Sequence, residues 1–404
     1  MTGLVIELIL LAILIVVLAI YLIKNKEKIF PQPIIRFGKF NLLEIVLVRT
    51  GWGLGHMDSW AKKYREWIKL FGITAIGIGF LGILANFFLL IFMVWSLIKS
   101  PGTQQVSLVL PFTDVPGLGY LSFTHWIIAL FVLATVHEFA HGVVARAYNV
   151  PVKHSGFAVL SFFKIPLVPA AFVEPDEKEF PKTDSITQYS VLAAGPISNI
   201  LLAIPFLLLI LFVTNPMTTA LTEPAGFSFA TITENGSAAQ AGIVAGQTYT
   251  YVNGKFTNDS TLFYRELWFG TAPGEQFTIG YINQTSGDLV VHTIMTQAAP
   301  EDPSRALIGV AGIVDERVFT KEAAPYQSIF NWFKDLLKYL YLFNLLVGLF
   351  NLMPLHITDG GQIIRVMALQ TTKTKEQAMK RQRLICNICL AVLIAAFIIP
   401  FIFG

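Results

Sequence analysis

Two histidines and a glutamate are the clearest candidates for chemistry in this sequence. His137 and His141 flank Glu138 in the pattern H-E-x-x-H. Residues four apart share one face of a helix, so both imidazoles could bind one metal ion. Zinc accepts such a histidine pair, and the intervening glutamate can act as general base on a zinc-bound water. The spacing therefore predicts a hydrolytic zinc site in which His137 and His141 are ligands and Glu138 is the base.

The surroundings of this motif strengthen the prediction. The motif lies inside residues 126–148, an apolar stretch long enough to cross a bilayer. Three ionisable side chains are costly in a membrane span, so they are usually paired or functional. The alternative interpretation is a polar contact that holds neighbouring helices together.

A catalytic zinc site needs a third protein ligand and an open position. Asp359 is the candidate, and Gly360 and Gly361 follow it. Glycines at this point would let the backbone turn and approach the site closely. Two alternatives remain: Asp359 could cap a helix that begins near Gly361, and His356 could be a ligand instead. We interpret His356 as structural.

Composition indicates the elements that must position these residues. Apolar residues make up 54% of the 404 residues and charged residues only 14%, which is typical of a membrane protein. Six stretches are candidate spans: residues 4–23, 71–98, 126–148, 191–213, 339–355 and 384–403. The first is interpreted as a retained anchor because no cleavage site follows it.

Charge distribution predicts the orientation of the spans. Ten Lys and Arg lie between the first two spans, whereas residues 215–328 contain five against eleven Asp and Glu. Short basic loops stay in the cytoplasm, so we expect the N-terminus and residues 215–328 to be extracytoplasmic. The basic residues flank spans and form no basic domain, so no nucleic-acid partner is expected.

Two loops differ from the spans in composition. Residues 151–188 are apolar and aromatic but are interrupted by prolines, which suits a strand or a re-entrant segment at the membrane surface. Residues 215–328 contain short alternating stretches with turn signals between them, which predicts a small β-rich domain.

Four motifs in this order resemble the site-2 proteases, which are zinc intramembrane metalloproteases. They are H-E-x-x-H at His137–His141, a sequence similar to G-A-F-V-E at residues 170–174, A-G-P-x-x-N at residues 194–199, and N-x-x-P-x-x-x-x-D-G from Asn351 to Gly360. Ala170 replaces the glycine of the second motif, and His356 and Thr358 depart from the fourth. The resemblance covers residues 126–361.

The resemblance implies one zinc ion per chain, held by His137, His141 and Asp359. It also makes Asn199 and Asn351 candidates for stabilising the oxyanion or positioning the substrate. Residues 215–328 resemble a PDZ domain through Gly246 and a few short motifs, including Val252-Asn253-Gly254. Such domains bind extended peptides or C-termini.

The expected fold is therefore a polytopic α-helical membrane protein with about six transmembrane helices and an inserted, small, β-rich PDZ-like extracytoplasmic domain. Four segments are expected. They are an N-terminal anchor with a basic cytoplasmic segment (1–70), a membrane core with the H-E-x-x-H helix and a re-entrant cytoplasmic loop (71–214), the extracytoplasmic PDZ-like domain (215–328), and a membrane core with the Asp-Gly-Gly motif and the last helix (329–404). Residues 151–173 could hold an extended substrate as an added strand.

We expect the chain to cleave membrane proteins in or near their transmembrane segments, in the plasma membrane of a prokaryote. The alternative is a membrane-anchored PDZ scaffold or chaperone without proteolytic activity. A transporter is a third class, but no internal repeat relates two halves of the chain.

Overall fold

A computed structural model describes residues 2–25, 43–51, 53–104, 106, 109–115, 119–162, 165–176, 178–283 and 285–403. The chain folds into two compact units. The first, which we call the helical unit, comprises Met1–Ile210 and Phe333–Gly404, and the second, the inserted unit, comprises Leu211–Trp332. Residues 26–42 of the basic N-terminal segment lie outside the described residues.

The N-terminal part of the helical unit alternates long helices with short strands. Its elements are α1 (Thr2–Lys24), β1 (Leu43–Arg49), α2 (Leu54–Lys63), α3 (Arg65–Lys99), β2 (Thr113–Val115), β3 (Gly119–Leu121), α4 (Phe123–Ala147), β4 (Val152–Phe162), β5 (Ile165–Pro175) and α5 (Ser185–Leu209).

Side-chain and backbone caps define the ends of the two helices that form the site. The Asp184 carboxylate caps α5 by accepting hydrogen bonds from the amide and hydroxyl of Thr187. These bonds favour the ionised form, so they hold the pKa of Asp184 below its usual value. Helix α4 ends in a Schellman turn, with Asn149 left-handed at φ 60° and the amide of Val150 donating to the carbonyl of Ala145.

The inserted unit consists of short elements. They are a π-helical turn (Ile210–Thr214), α6 (Asn215–Leu221), β6 (Thr222–Ile232), α7 (Ser237–Gln240), β7 (Tyr251–Val252), β8 (Lys255–Phe256), α8 (Thr261–Phe269), β9 (Gln276–Ile282), β10 (Leu289–Met295), β11 (Gln297–Ala298), β12 (Ala306–Leu307) and β13 (Val310–Phe319). A four-stranded sheet has the order β10-β9-β7-β8, and β13 pairs with β6. Buried aromatic residues, including Phe227, Tyr249 and Phe263, give the unit its own core. Its resemblance to a PDZ domain stays a prediction.

Three helices follow the strands of the inserted unit along the chain: α9 (Gln327–Asn351), α10 (Asp359–Thr371) and α11 (Lys375–Phe403). Residues of α9 from Phe333 onward, together with α10 and α11, belong to the helical unit. The fifth apolar stretch, 339–355, extends four residues past the helix that contains it. Helix α9 starts 12 residues earlier, and it ends at Asn351, three residues before Pro354. Proline disfavours helical backbone at the residue before it and cannot continue the backbone hydrogen bonds.

Five helical segments of the described residues are long and apolar enough to cross a membrane: Leu4–Lys24, Arg65–Lys99, Phe123–Ala147, Ser185–Leu221 and Lys375–Phe403. They correspond to five of the six predicted stretches. Helix α9 is not among them; its N-terminal half carries Lys334, Asp335 and Lys338. The count of six spans therefore stays a prediction.

Small residues bring α3 and α5 close together. A Cβ atom built on Gly72 would lie 3.0 Å from the Cβ of Ser190, and one built on Gly79 would lie 3.4 Å from the Cβ of Ala193. Small residues at helix contacts are the usual way in which membrane helices approach each other. This packing makes α5 a central helix, with α3 on one side and α4 against another face.

Within residues 151–188, the structure has the two strands β4 and β5, so the strand interpretation of this loop is the one that agrees with it. Strand β4 pairs antiparallel with β5 on one side and with β1 on the other, so the sheet order is β1-β4-β5. Strand β5 is an edge strand and packs against α4, the helix of the H-E-x-x-H motif. Arg49 of β1 and Glu174 of β5 form an ion pair at 2.9 Å that links the two outer strands.

Candidate metal centre

Three side chains meet at one point between α4 and the start of α10. His137 Nε2 lies 3.1 Å from Asp359 Oδ2, and His141 Nε2 lies 3.5 Å from Asp359 Oδ1. The two imidazole Nε2 atoms are 3.1 Å apart. The side chains of His137, His141 and Asp359 are only 11%, 12% and 16% exposed. Two nitrogen atoms and a carboxylate converging in a buried site form a group that could hold a metal ion.

The separations match the size of a zinc ion. Zinc binds histidine nitrogen and carboxylate oxygen at about 2.0–2.2 Å in tetrahedral sites, which places neighbouring ligand atoms about 3.3 Å apart. The three separations here are 3.1, 3.1 and 3.5 Å. Hydrogen bonds from an Nε2–H group to the carboxylate would give similar separations, so the fit to a metal depends on the tautomers of the two rings.

A backbone carbonyl fixes the ring of His141. His141 Nδ1 lies 2.7 Å from the carbonyl oxygen of Val191 on α5. A carbonyl can only accept, so Nδ1 carries the proton and Nε2 keeps its lone pair for a metal. Pro196 lies inside α5 and has no N–H, so the carbonyl of Leu192, next to Val191, lacks its usual helical donor.

Asn199 holds the other imidazole. Its side-chain amide lies against His137 Nδ1, with Nδ2 at 3.3 Å, and its Oδ1 is buried without a hydrogen-bond partner among the described residues. Rotating the side-chain amide of Asn199 by half a turn exchanges Oδ1 and Nδ2. Oδ1 then accepts a hydrogen bond from the Nδ1–H of His137. That orientation satisfies the buried oxygen and leaves the Nε2 lone pair of His137 free for a metal. The unpartnered oxygen therefore fits a metal-binding His137.

Glu138 lies beside this group and not within it. The three side chains whose ligand atoms converge are His137, His141 and Asp359. The Oε2 atom of Glu138 accepts a hydrogen bond from the backbone amide of Val173 on β5, at 2.9 Å. The Ala170–Glu174 motif thus orients the carboxylate of the H-E-x-x-H motif, a contact that the sequence did not reveal.

Gly195 leaves space for the site on the opposite wall. A Cβ atom at this position would lie 2.7 Å from His137 Nε2 and nearer still to His141 Nε2. Any side chain here would therefore occupy the space in front of both ligand atoms. The sequence motif contains this glycine, but its role becomes visible only when α5 is placed against α4.

Asp359 is the first residue of α10, and Thr358 is the residue that caps this helix. The Thr358 hydroxyl accepts from the amide of Gly361 at 3.3 Å. The interpretation of Asp359 as a helix cap is therefore wrong. Gly360 and Gly361 are helical, without positive φ, so they do not turn the backbone as expected. A Cβ atom at either position would collide with a carbonyl group of the preceding loop, so the close approach of this helix to the loop requires glycine.

The two remaining candidates lie outside the converging group. The exposed His356 faces α11, where its Nε2 lies 2.9 Å from Asn387 Oδ1. Asn351 is the half-buried last residue of α9, and its side chain makes no hydrogen bond to any described residue. The structure thus brings together His137, His141 and Asp359, with Asn199 and Glu138 beside them.

Comparisons with known proteins agree with the motifs. A protein of Methanocaldococcus jannaschii, described as uncharacterized, is 26% identical over 318 residues, which are 78% of this chain and 76% of that protein. The model of Peptidase family M50 matches residues 125–396, a range that includes all three converging side chains. The chain therefore belongs to Peptidase family M50, the site-2 protease family of membrane metallopeptidases, as its four motifs predicted.

Proposed function

We propose that this protein is an intramembrane zinc metalloprotease that hydrolyses peptide bonds in or near the transmembrane segments of other membrane proteins. The observation that carries the proposal is the convergence of His137, His141 and Asp359 at 3.1–3.5 Å, with two of the three on a helix of membrane-spanning length. Family membership makes peptide hydrolysis the expected reaction.

His137, His141 and Asp359 would hold one zinc ion per chain. When bound, zinc would supply Lewis-acid chemistry, activating water and polarising the scissile carbonyl. The protein keeps both imidazoles in the required tautomer through Val191 and Asn199. Three protein ligands leave a fourth position open, which distinguishes catalytic zinc sites from structural ones.

Glu138 would move the protons. The Val173 amide holds one carboxylate oxygen, so the other can take a proton from the attacking water and pass it to the leaving amine. Asn351 is the proposed hydrogen-bond donor to the oxyanion of the tetrahedral intermediate. Asn199, the other candidate, is better explained as the residue that positions His137.

Strand β5 would bind the substrate by strand addition. The Val173 amide points away from β4 toward Glu138, so alternate residues of β5, including Ala171 and Pro169, also present backbone groups on the open edge. Pro169 has no N–H, but the backbone of this residue faces away from β4, so no hydrogen bond to β4 is lost. An extended segment paired with Ala171 would lie beside Glu138, and a helical substrate would have to unwind locally to pair in this way.

The proposed setting is the plasma membrane of a prokaryote, with the N-terminus and the inserted unit outside. There the inserted unit would bind extended peptides or C-termini and thereby select substrates. Replacing residues 227–315 by a two-residue Asn-Gly turn would test this, because Gly226 and Glu316 are paired neighbours on β6 and β13. An unchanged set of cleaved proteins would show that the unit selects nothing.

The direct test uses purified full-length protein and a panel of single-span membrane proteins, with and without a zinc chelator. We expect cleavage within or near the span, loss of cleavage with chelator, and recovery on adding zinc. A protein that binds the same substrates with zinc and cleaves none of them would be a scaffold or chaperone instead.

A further inference from the structure

A cavity of about 410 Å³ lies at the C-terminal end of α4, beyond the candidate ligands His137 and His141 of the same helix. It is lined by side chains of α2, of the first residue of α3, and of the Schellman turn that ends α4: Asp58, Ala61, Lys62, Arg65, Arg146, Asn149, Val150 and Pro151. Its volume falls within the range of roughly 300–1,000 Å³ that is usual for small-molecule sites. Three of its eight residues are cationic.

Two of these cations have no acidic partner among the residues that the structure describes. Arg146 pairs with Asp58 at 3.2 Å, so these two charges compensate each other. Arg65 donates to the neutral Asn149 Oδ1 at 2.8 Å, and its Nε is buried without a hydrogen-bond partner in the described part of the chain. Lys62 is exposed and forms no ion pair with a described residue. The cavity therefore has two uncompensated positive charges and unused N–H donors.

The neighbouring surface has the features of a membrane interface. Trp60, Tyr64 and Trp67, which flank the cavity residues on α2 and α3, are 53%, 42% and 74% exposed. Exposed tryptophan and tyrosine concentrate at the level of lipid headgroups. Beyond them on α3, the exposed side chains become apolar, beginning with Leu70 and Ile73. The cavity thus lies where charged surface meets surface suited to acyl chains.

We propose that this basic cavity binds the phosphate group of an anionic phospholipid. Lys62 and the Arg65 guanidinium would supply the charge, and the Asn149 amide, whose Oδ1 is already engaged by Arg65, would donate through Nδ2. The acyl chains would lie along the apolar surface of α3 that begins at Trp67. Basic pockets beside membrane helices bind headgroups by this combination of charge and apolar contact.

Such a ligand would stabilise the end of the catalytic helix. Arg146 belongs to the last turn of α4, five residues after His141, and its Nη2 donates to the carbonyl of Val152 at the start of β4. A phosphate held by Lys62, Arg65 and Asn149 would link α2 and α3 to the turn that ends α4, next to this contact. Lipid binding can be measured without any cleavage assay, so it is tested independently of the proposed protease activity.

The experiment places the full-length protein in bilayer discs of phosphatidylcholine with a minority of phosphatidylglycerol. Native mass spectrometry then counts the phosphatidylglycerol retained by the released protein. Replacing Lys62 by Gln should weaken this retention about fivefold, the effect of one cation near an anionic surface. Lys63→Gln is the matched control, because Lys63 is the adjacent residue on α2 and does not line the cavity. Arg65→Gln should also weaken retention, but it loses the bond to Asn149, so Lys62→Gln decides the result.

Preferential retention of phosphatidylglycerol that falls in Lys62→Gln and not in Lys63→Gln supports the proposal. Equal losses in both variants would indicate general surface charge, and unchanged retention in Lys62→Gln would overturn the site. Inorganic phosphate should fail to displace the lipid because it lacks acyl chains. Full displacement by inorganic phosphate would show that the cavity binds soluble phosphate and not a lipid.

Discussion

At the scale of single residues, the site depends on three side chains whose ligand atoms converge. We expect purified protein to contain about one zinc per chain and Asp359→Ala to lose it, because two histidines alone leave the site incomplete. His356→Ala is the control, since His356 contacts Asn387 on α11 and lies outside the group. Elemental analysis measures the zinc content of both variants. Full zinc in Asp359→Ala, or loss of zinc in His356→Ala, would make His356 and not Asp359 the third ligand.

A substitution at Gly195 tests whether zinc binding needs the empty space in front of the two histidines. Gly195→Ala adds one methyl group directly in front of both Nε2 atoms, so we expect loss of zinc and of cleavage. An alanine in a helix otherwise favours folding by about 1 kcal/mol relative to glycine. Gly77→Ala on α3 is the control, because a Cβ there meets nothing within 4 Å. Normal zinc content in Gly195→Ala would show that α5 lies farther from the two histidines than this structure places it.

The sequence predicted these residues unequally, for physical reasons. His137, Glu138 and His141 follow from helical spacing, which is a local property. The contacts of His141 with Val191, of His137 with Asn199 and of Glu138 with Val173 join residues 35 to 62 positions apart. No local pattern encodes such contacts, so the roles of Val191 and Val173 were missed. Asn199 was noticed through a motif, but its partner was not.

At the scale of elements, the open edge of β5 can be tested with proline. Ala171→Pro removes an outward N–H from the edge strand without removing a bond to β4, as Pro169 already does. If substrates pair there, cleavage should slow about 2- to 10-fold, the effect of one lost hydrogen bond. Ala170→Pro, one residue earlier, instead removes a bond to β4 and should lower thermal stability. A wild-type cleavage rate in a stable Ala171→Pro protein would contradict strand addition at β5.

The elements themselves were predictable to different degrees. Apolar stretches of about 20 residues predicted the long helices. Prolines among apolar residues indicated a strand or a re-entrant segment where β4 and β5 lie, but not their pairing as a hairpin. Strand β1 was missed because it pairs with β4 across about 110 residues, and so was the ion pair of Arg49 with Glu174. The end of α9 was placed too late, although Pro354 marks a local limit on the helix.

At the scale of the whole molecule, the charge distribution predicts on which side of the membrane the inserted unit and the basic N-terminal segment lie. A cysteine placed at the exposed Glu301 of the inserted unit should react with an impermeant reagent in intact cells, whereas one at Lys63 should react only after lysis. The native Cys386 and Cys389 are buried in α11 and should contribute little background. The reverse labelling pattern would invert the predicted orientation of the chain.

The measurement that tests the central claim most directly is cleavage by Glu138→Gln with its zinc content determined. Glutamine keeps the shape and can still accept the hydrogen bond from Val173, but it cannot take a proton. General acid–base assistance contributes about 100- to 10,000-fold to a rate, so cleavage should fall by this factor while zinc and substrate binding stay normal. Near-normal cleavage by a Glu138→Gln protein that carries its full zinc would contradict the proposed mechanism.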